Sequence, residues 1–159
     1  MLKDLLISSR PRQWLKNLLV FAALLFSRQF VHADKVAAAA VAFAVFCLLS
    51  SAVYLANDVI DAAEDRRHKE KRQRPVAAGR LSPAAAVVAA VLLAAASLAG
   101  AFLESGALGW TAVVYLAAQA AYTLGLKHVV ILDVLIIAVG FILRAHAGGA
   151  AVGVPVSEW

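Results

Sequence analysis

The chain has 159 residues, of which 63% are hydrophobic and only 16% charged. A soluble domain carries about 45–50% apolar and about 25% charged residues, so this composition excludes an ordinary soluble globule and, more firmly, a disordered chain. The single cysteine, Cys47, excludes an intrachain disulfide framework and a cysteine-based metal cluster. The net charge of +5, from 15 Lys+Arg against 10 Asp+Glu, is distributed as a membrane protein distributes it, and no nucleic-acid partner is expected.

A spanning helix needs about 20 mostly apolar residues. Five stretches meet or approach that length: residues 15–30, 36–60, 83–103, 108–126 and 129–152. The expected architecture is an all-α integral membrane bundle of about five helices, forming a single domain over 1–159. The first stretch follows Lys3, Arg10, Arg12 and Lys16 and ends near Val31-His32-Ala33, a pattern shared with secretory signals. The long charged head and the four apolar segments that follow favour a retained first span. The third stretch opens on Ser82-Pro83, an N-cap followed by proline at the first helical position. Alanine runs at 37–40 and 84–86 would let helices approach closely, although compositional bias alone gives the same runs.

Basic residues gather in the N-terminal head, in the 61–80 loop (Arg66, Arg67, Lys69, Lys71, Arg72, Arg74, Arg80) and at Lys127-His128. The alternate loops hold Arg28 and Lys35 in one case, and Glu104 with no base in the other. Because basic residues collect on the cytoplasmic side, the N-terminus, the 61–80 loop and Lys127 are expected to face the cytoplasm of a plasma-membrane protein. Five spans then leave the C-terminal end outside.

The second stretch ends on Tyr54, Asn57, Asp58, Asp61 and Asp65. A helix carried through them would place the three aspartates, at i, i+3 and i+7, on one face with Tyr54. Three carboxylates repel one another, and a helix C-terminus disfavours negative charge, so a cation must compensate. Either the basic run ending Lys71-Arg72-Gln73-Arg74-Pro75 does so, or a divalent metal. Hard oxygen ligands suit Mg2+, which takes one or two carboxylates plus substrate phosphates and keeps several waters. Carboxylates for a metal beside Lys and Arg for phosphate oxygens form a diphosphate-handling constellation. A solvated, self-neutralising charged loop has the same composition. The triple spacing with Asn57, at the end of an apolar helix, favours function.

Asn57-Asp58-x-x-Asp61-x-x-x-Asp65 resembles the first aspartate-rich motif of the UbiA superfamily of intramembrane prenyltransferases. Arg10-Pro11-Arg12-Gln13-Trp14-Leu15-Lys16-Asn17 resembles that family's opening motif, and His68-x-x-Lys71-Arg72-x-Arg74-Pro75-x-Ala77-x-Gly79 its basic loop. Leu126-Lys127-His128, Leu132-Asp133, Arg144-Ala145 and Gly148-Gly149 resemble its later segments. Together they are most similar to the branch that transfers a phosphoribosyl group to decaprenyl phosphate. The resemblance implies a nine-helix fold of which this is the N-terminal part, and an Mg2+-dependent reaction. Phosphoribosyl diphosphate would donate its 5-phosphoribosyl group to a polyprenyl phosphate, for cell-envelope arabinan synthesis. It implies Asp58, Asp61 and Asp65 as metal ligands and, with Asn57, as the catalytic group. Lys16, Asn17, Tyr54, Lys71, Arg72, Arg74, Lys127 and His128 are the implied phosphate-binding residues. The same aspartate motif serves aromatic prenyltransferases, where the metal-bound diphosphate belongs to a prenyl chain; a non-catalytic membrane module is a third reading. The family's second polar motif has no counterpart here, so the chain alone is expected to be inactive or very weakly active. Oligomeric state, lipid length and metal count stay open.

Several residues stand apart from these motifs. Tyr115, Gln119 and Tyr122 form a polar stripe expected to pack against a neighbouring helix. Asp133 and Arg144 are eleven residues apart, about 16 Å along one helix, so each needs a partner elsewhere or an aqueous cavity. His32, His68 and His146 are too scattered for a zinc site. Cys47 reads as a small apolar filler, and Trp14 and Trp110 as interfacial anchors.

Overall fold

The structure, a computed structural model, describes residues 1–155. Residues 156–159, beyond the fifth stretch, lie outside the described residues, as does the side chain of His128. Four of the five stretches are single α-helices long and apolar enough to cross a membrane: α3 (Ala33–Ile60), α5 (Pro83–Glu104), α6 (Gly106–Leu124) and α7 (Val130–Val152). Short helices α1 (Leu2–Ser9), α2 (Ala22–Phe26) and α4 (Ala62–Asp65) complete the set. Hydroxyls start α5 and α6: Ser82 Oγ accepts from the Ala85 N–H at 3.2 Å, and Ser105 Oγ from the Leu108 N–H at 3.1 Å. Each satisfies one of the amide donors that a helix start leaves unpaired.

The first stretch differs from expectation. It is not one α-helix but a 3-10 segment, Pro11–Phe21, running into α2 and then a 3-10 turn, Gln29–Val31. The 3-10 rise of about 2.0 Å per residue takes eleven residues about 22 Å, and α2 adds about 7 Å. Sixteen residues thereby extend about 30 Å, against about 24 Å as an α-helix. Trp14, Asn17 and Val20 follow at three-residue spacing and share one edge. The Trp14 indole N–H donates to Ser51 Oγ at 3.1 Å, Asn17 is wholly buried, and the Val20 backbone meets α7. Gly148 makes that last contact possible: a Cβ there would lie 1.8 Å from the Val20 carbonyl oxygen.

The core lies between α3, α6 and α7, around Phe46, Leu49, Leu108, Tyr115 and Ala147. The Phe46 and Tyr115 rings are 5.1 Å apart. On α5 the buried residues are all small, Ala86, Ala90, Ser97 and Ala101, and this seam lets α5 lie close against α3. In the alanine runs Ala38, Ala39 and Ala86 are buried and Ala85 is packed partly buried beside them, while Ala37, Ala40 and Ala84 are exposed. Trp110 is exposed, edge-on to Phe102.

α3 is 28 residues long, about 42 Å, and so overruns the hydrocarbon layer. Beyond its end the connection to α5 is not a loose solvated loop. Val76 and Leu81 are buried in a second apolar cluster with Leu55, Ala62, Ala86 and Ala90. Arg80 donates to the Gln73 carbonyl at 2.8 Å and to Asp4 of α1 at 3.3 Å. Asp4 is held below the ordinary carboxylate range, chiefly by its hydrogen bond from the N-terminal ammonium, with Arg80 adding. Anchored in this way, the connection presents its charges at fixed positions.

Candidate functional site

The helix does not run through the aspartate triad. α3 ends at Ile60, Asp61 sits at the junction with φ −86° and ψ 0°, and α4 follows. Like charges at a helix C-terminus oppose both one another and the macrodipole, and the break falls at that point. Each carboxylate has its own cation. Asp58, only 1% exposed, accepts from Arg10 at 2.5 Å and lies 3.6 Å from Arg74. Arg74 also donates to Asp65 at 2.7 Å, and Lys127 reaches Asp61 at 2.5 Å. The Arg10 guanidinium lies over the Tyr54 ring, 4.8 Å from its centroid. Thr123 donates to Asn57 Oδ1 at 2.6 Å, tying α6 to the end of α3.

Two cavities adjoin this cluster, the outer one mainly polar and the inner one polar on part of its wall and apolar on the rest. The outer one, about 360 Å3, is lined by Asn57, Asp61, Glu64, Asp65, His68, Lys71 and Lys127 among others. The inner one, about 230 Å3, is lined by Lys16, Tyr54, Tyr115, Gln119, Tyr122 and Arg144 among others. Asn57 and Tyr122 belong to both. The tyrosine–glutamine stripe of α6, expected to serve helix packing, therefore faces this inner cavity; Tyr115 does both, buried against Phe46 while its hydroxyl meets Arg144.

The phosphate-binding residues expected from sequence divide accordingly. Lys71 and Lys127 line the outer cavity, Lys16 and Tyr54 the inner one. Arg74 is committed to Asp58 and Asp65. Arg72 is exposed and makes no side-chain hydrogen bond or ion pair among the described residues. Asn17 lines neither cavity: its amide donates to Ser50 and Cys47 and accepts from Arg144 at 2.7 Å. Cys47 is thus a buried acceptor as well as filler. His68 Nδ1 accepts from the Glu70 and Lys71 N–H groups and shapes the turn before the basic run. His146 is remote from it, against Thr111. Sequence reasoning left Arg10, Asp133 and Arg144 without a role, and Asp133 Oδ1 is buried with no hydrogen-bond partner among the described residues. Arg10 pairs with a residue 48 positions away from a left-handed backbone conformation, φ 51°, which no local pattern signals. Arg144 did carry a signal, being a lone cation within an apolar span.

Divalent metal chemistry can be tested against these groups. Among the described residues no three His, Cys, Asp or Glu side chains form a cluster that could hold an ion by themselves. Two of the three aspartates, Asp61 and Asp65, line the outer cavity beside the Asn57 amide; Asp58 has Oδ1 paired and Oδ2 buried with no hydrogen-bond partner. Hard oxygens in that number fit Mg2+ brought in with phosphate ligands of its own, not an ion held in an all-protein cage.

A model of the UbiA prenyltransferase family matches residues 17–159. The chain is similar to the decaprenyl-phosphate phosphoribosyltransferases of Mycolicibacterium smegmatis, at 45% identity over 163 residues covering 100% of this chain and 51% of that one, and of Mycobacterium tuberculosis, at 44% over 154 residues, 94% and 51%. The corresponding enzyme of Corynebacterium glutamicum is 42% identical, covering 94% and 46%. The chain thus spans about half the length of the curated relatives it matches. Its fold is similar to that of a UbiA homologue from Archaeoglobus fulgidus bound to DMAPP and Mg2+, with a TM-score of 0.84 over 98% of this chain and 56% of that one, at 22% identity. With its four apolar helices of spanning length, this chain is an integral membrane protein and belongs to the UbiA prenyltransferase family.

Proposed function

We propose that the protein is an Mg2+-dependent intramembrane transferase that moves the 5-phosphoribosyl group of phosphoribosyl diphosphate onto a polyprenyl phosphate, decaprenyl phosphate in particular. The observation that carries this reading is the match over the whole chain, at 45% identity, to a relative named for that reaction. The outer cavity supports it by joining carboxylates to lysines at the end of a spanning helix. The bond from ribose C1 to the diphosphate oxygen breaks, the diphosphate departs with the electron pair, and a phosphate oxygen of the lipid bonds to C1. The acceptor is already an anion, so no strong base is required. Asp58, Asp61 and Asp65, with Asn57, would hold Mg2+, which when bound neutralises the charge growing on the leaving diphosphate. Lys71 and Lys127 bind the outer diphosphate oxygens, and Tyr54, under the Arg10 guanidinium, lines the adjoining inner cavity. A soluble donor and a lipid acceptor meet at such a boundary, with the site on the cytoplasmic face of the plasma membrane and the product serving cell-envelope arabinan synthesis. Residues 1–159 expressed alone would turn over weakly or not at all.

The test is transfer in lipid nanodiscs by a full chain, meaning here and below residues 1–159 carried within a protein of its curated relatives' length, with phosphoribosyl diphosphate or a prenyl diphosphate as donor. Turnover with the former, abolished by EDTA and reduced at least about 100-fold in Asp61→Asn, is expected. Turnover with the prenyl diphosphate and an aromatic acceptor instead would assign the aromatic branch, and unchanged turnover in Asp61→Asn would remove the carboxylates from the mechanism.

A further inference from the structure

Arg144 is 7% exposed and lies fourteen residues along α7 from Val130, about 21 Å by helical rise. Its charge is permanent, yet every partner it has is neutral: Asn17 Oδ1 at 2.7 Å, the Gly140 carbonyl at 2.6 Å and the Tyr115 hydroxyl at 2.9 Å. Among the described residues it has no carboxylate within ion-pair distance. A buried cation without a counter-charge is costly, and three of its five N–H groups are used. The cavity it lines also holds Lys16, which makes no hydrogen bond or ion pair among the described residues, and no Asp or Glu is on its walls. The guanidinium is set in place: Asn17 fixes Nε, and Gly140 leaves room, since a Cβ there would stand 3.2 Å from Nη1.

We infer that Lys16 and Arg144 form a second anion site, one that takes a phosphate monoester without a metal ion. It contrasts with the outer cavity, where Asp61 and Asp65 require a cation between protein and ligand. The two cavities share Asn57 and Tyr122, so a monoester in the inner one lies beside the diphosphate in the outer one. Naming the ligand rests on the proposed reaction, in which a monoester has two sources: the head of the lipid acceptor and the 5-phosphate of the donor. Asn17 is then a positioning residue for Arg144 and not itself a phosphate ligand.

The experiment measures binding to the full chain in nanodiscs with EDTA present, using farnesyl phosphate, farnesol and ribose 5-phosphate as probes. Wild type is compared with Lys16→Gln, Arg144→Gln and Arg144→Lys. The expected result is affinity for a monoester without metal that falls at least about tenfold in Lys16→Gln and Arg144→Gln, is partly kept in Arg144→Lys, and leaves farnesol binding unchanged. A loss confined to farnesyl phosphate identifies the acceptor head; a loss confined to ribose 5-phosphate identifies the donor. Unchanged affinity for both monoesters, or a parallel loss for farnesol, overturns the site. If Arg144→Gln does not fold, Lys16→Gln and Arg144→Lys decide. Metal-free binding that persists where phosphoribosyl transfer fails removes the proposed reaction but not the site; turnover without such binding removes the site alone.

Discussion

Neighbouring arginines in the basic run have unlike consequences. Arg74 serves two buried carboxylates at once, 2.7 Å from Asp65 and 3.6 Å from Asp58, whereas Arg72, two positions earlier, is exposed. Arg74→Gln is expected to destabilise the chain by about 3 kcal/mol, the lower end for a broken buried pair since Arg74 is itself partly exposed. Arg72→Gln is expected to change stability by under about 0.5 kcal/mol. Thermal or denaturant unfolding in detergent separates the two, and equal effects would show that the pairing does not hold the loop. Sequence could nominate both arginines but not rank them, because rank depends on which side chain the buried Pro75-Val76 anchor turns inward. The aspartates were legible because their spacing is local. Their cations Arg10 and Lys127 lie 48 and 66 positions away, a relation that only the closed bundle creates.

Helices were legible in proportion to their regularity. The four long apolar runs begin and end within a few residues of where composition places them, since about twenty apolar residues admit few alternatives in lipid. The first stretch was not, because hydropathy counts residues without fixing the rise per residue. Two substitutions probe this level. Gly148→Ala places a methyl against a carbonyl oxygen that cannot swing aside, so α7 must part from the 3-10 segment; a loss of about 3 kcal/mol or more is expected, read as a fall in melting temperature. Arg28 holds a left-handed φ of 58° without a side-chain partner among the described residues. Arg28→Gly is expected to stabilise by about 1 kcal/mol, while Arg10→Gly, at a similar φ of 51°, is expected to destabilise because Asp58 loses its nearest cation.

The molecule as a whole is a membrane bundle with most of its charge gathered at the C-terminal end of α3. If that end faces the cytoplasm, a cysteine introduced at exposed Lys69, in a Cys47→Ala background, is labelled by a membrane-impermeant maleimide in inverted vesicles and not in intact cells; the opposite result reverses the orientation. Ligand-induced stabilisation follows from mass action. Phosphoribosyl diphosphate with Mg2+ is expected to raise the melting temperature of the full chain, and the shift should vanish in EDTA. The bundle's paired carboxylates were foreseeable as a need for compensation. That protein cations, not an ion alone, meet the need became visible only with the third dimension.

The edge shared by Trp14, Asn17 and Val20 depends on winding at three residues per turn. In an α-helix, residues three apart drift by about 60° at each step, and one groove could not receive all three. The tolerance of this stretch to length change is therefore inverted. Excising three residues between Trp14 and Val20, Asn17 necessarily among them, would keep these two in phase though about 6 Å closer, while excising four, the gentler cut in an α-helix, would also swing everything beyond it by about 120° and part Val20 from Gly148.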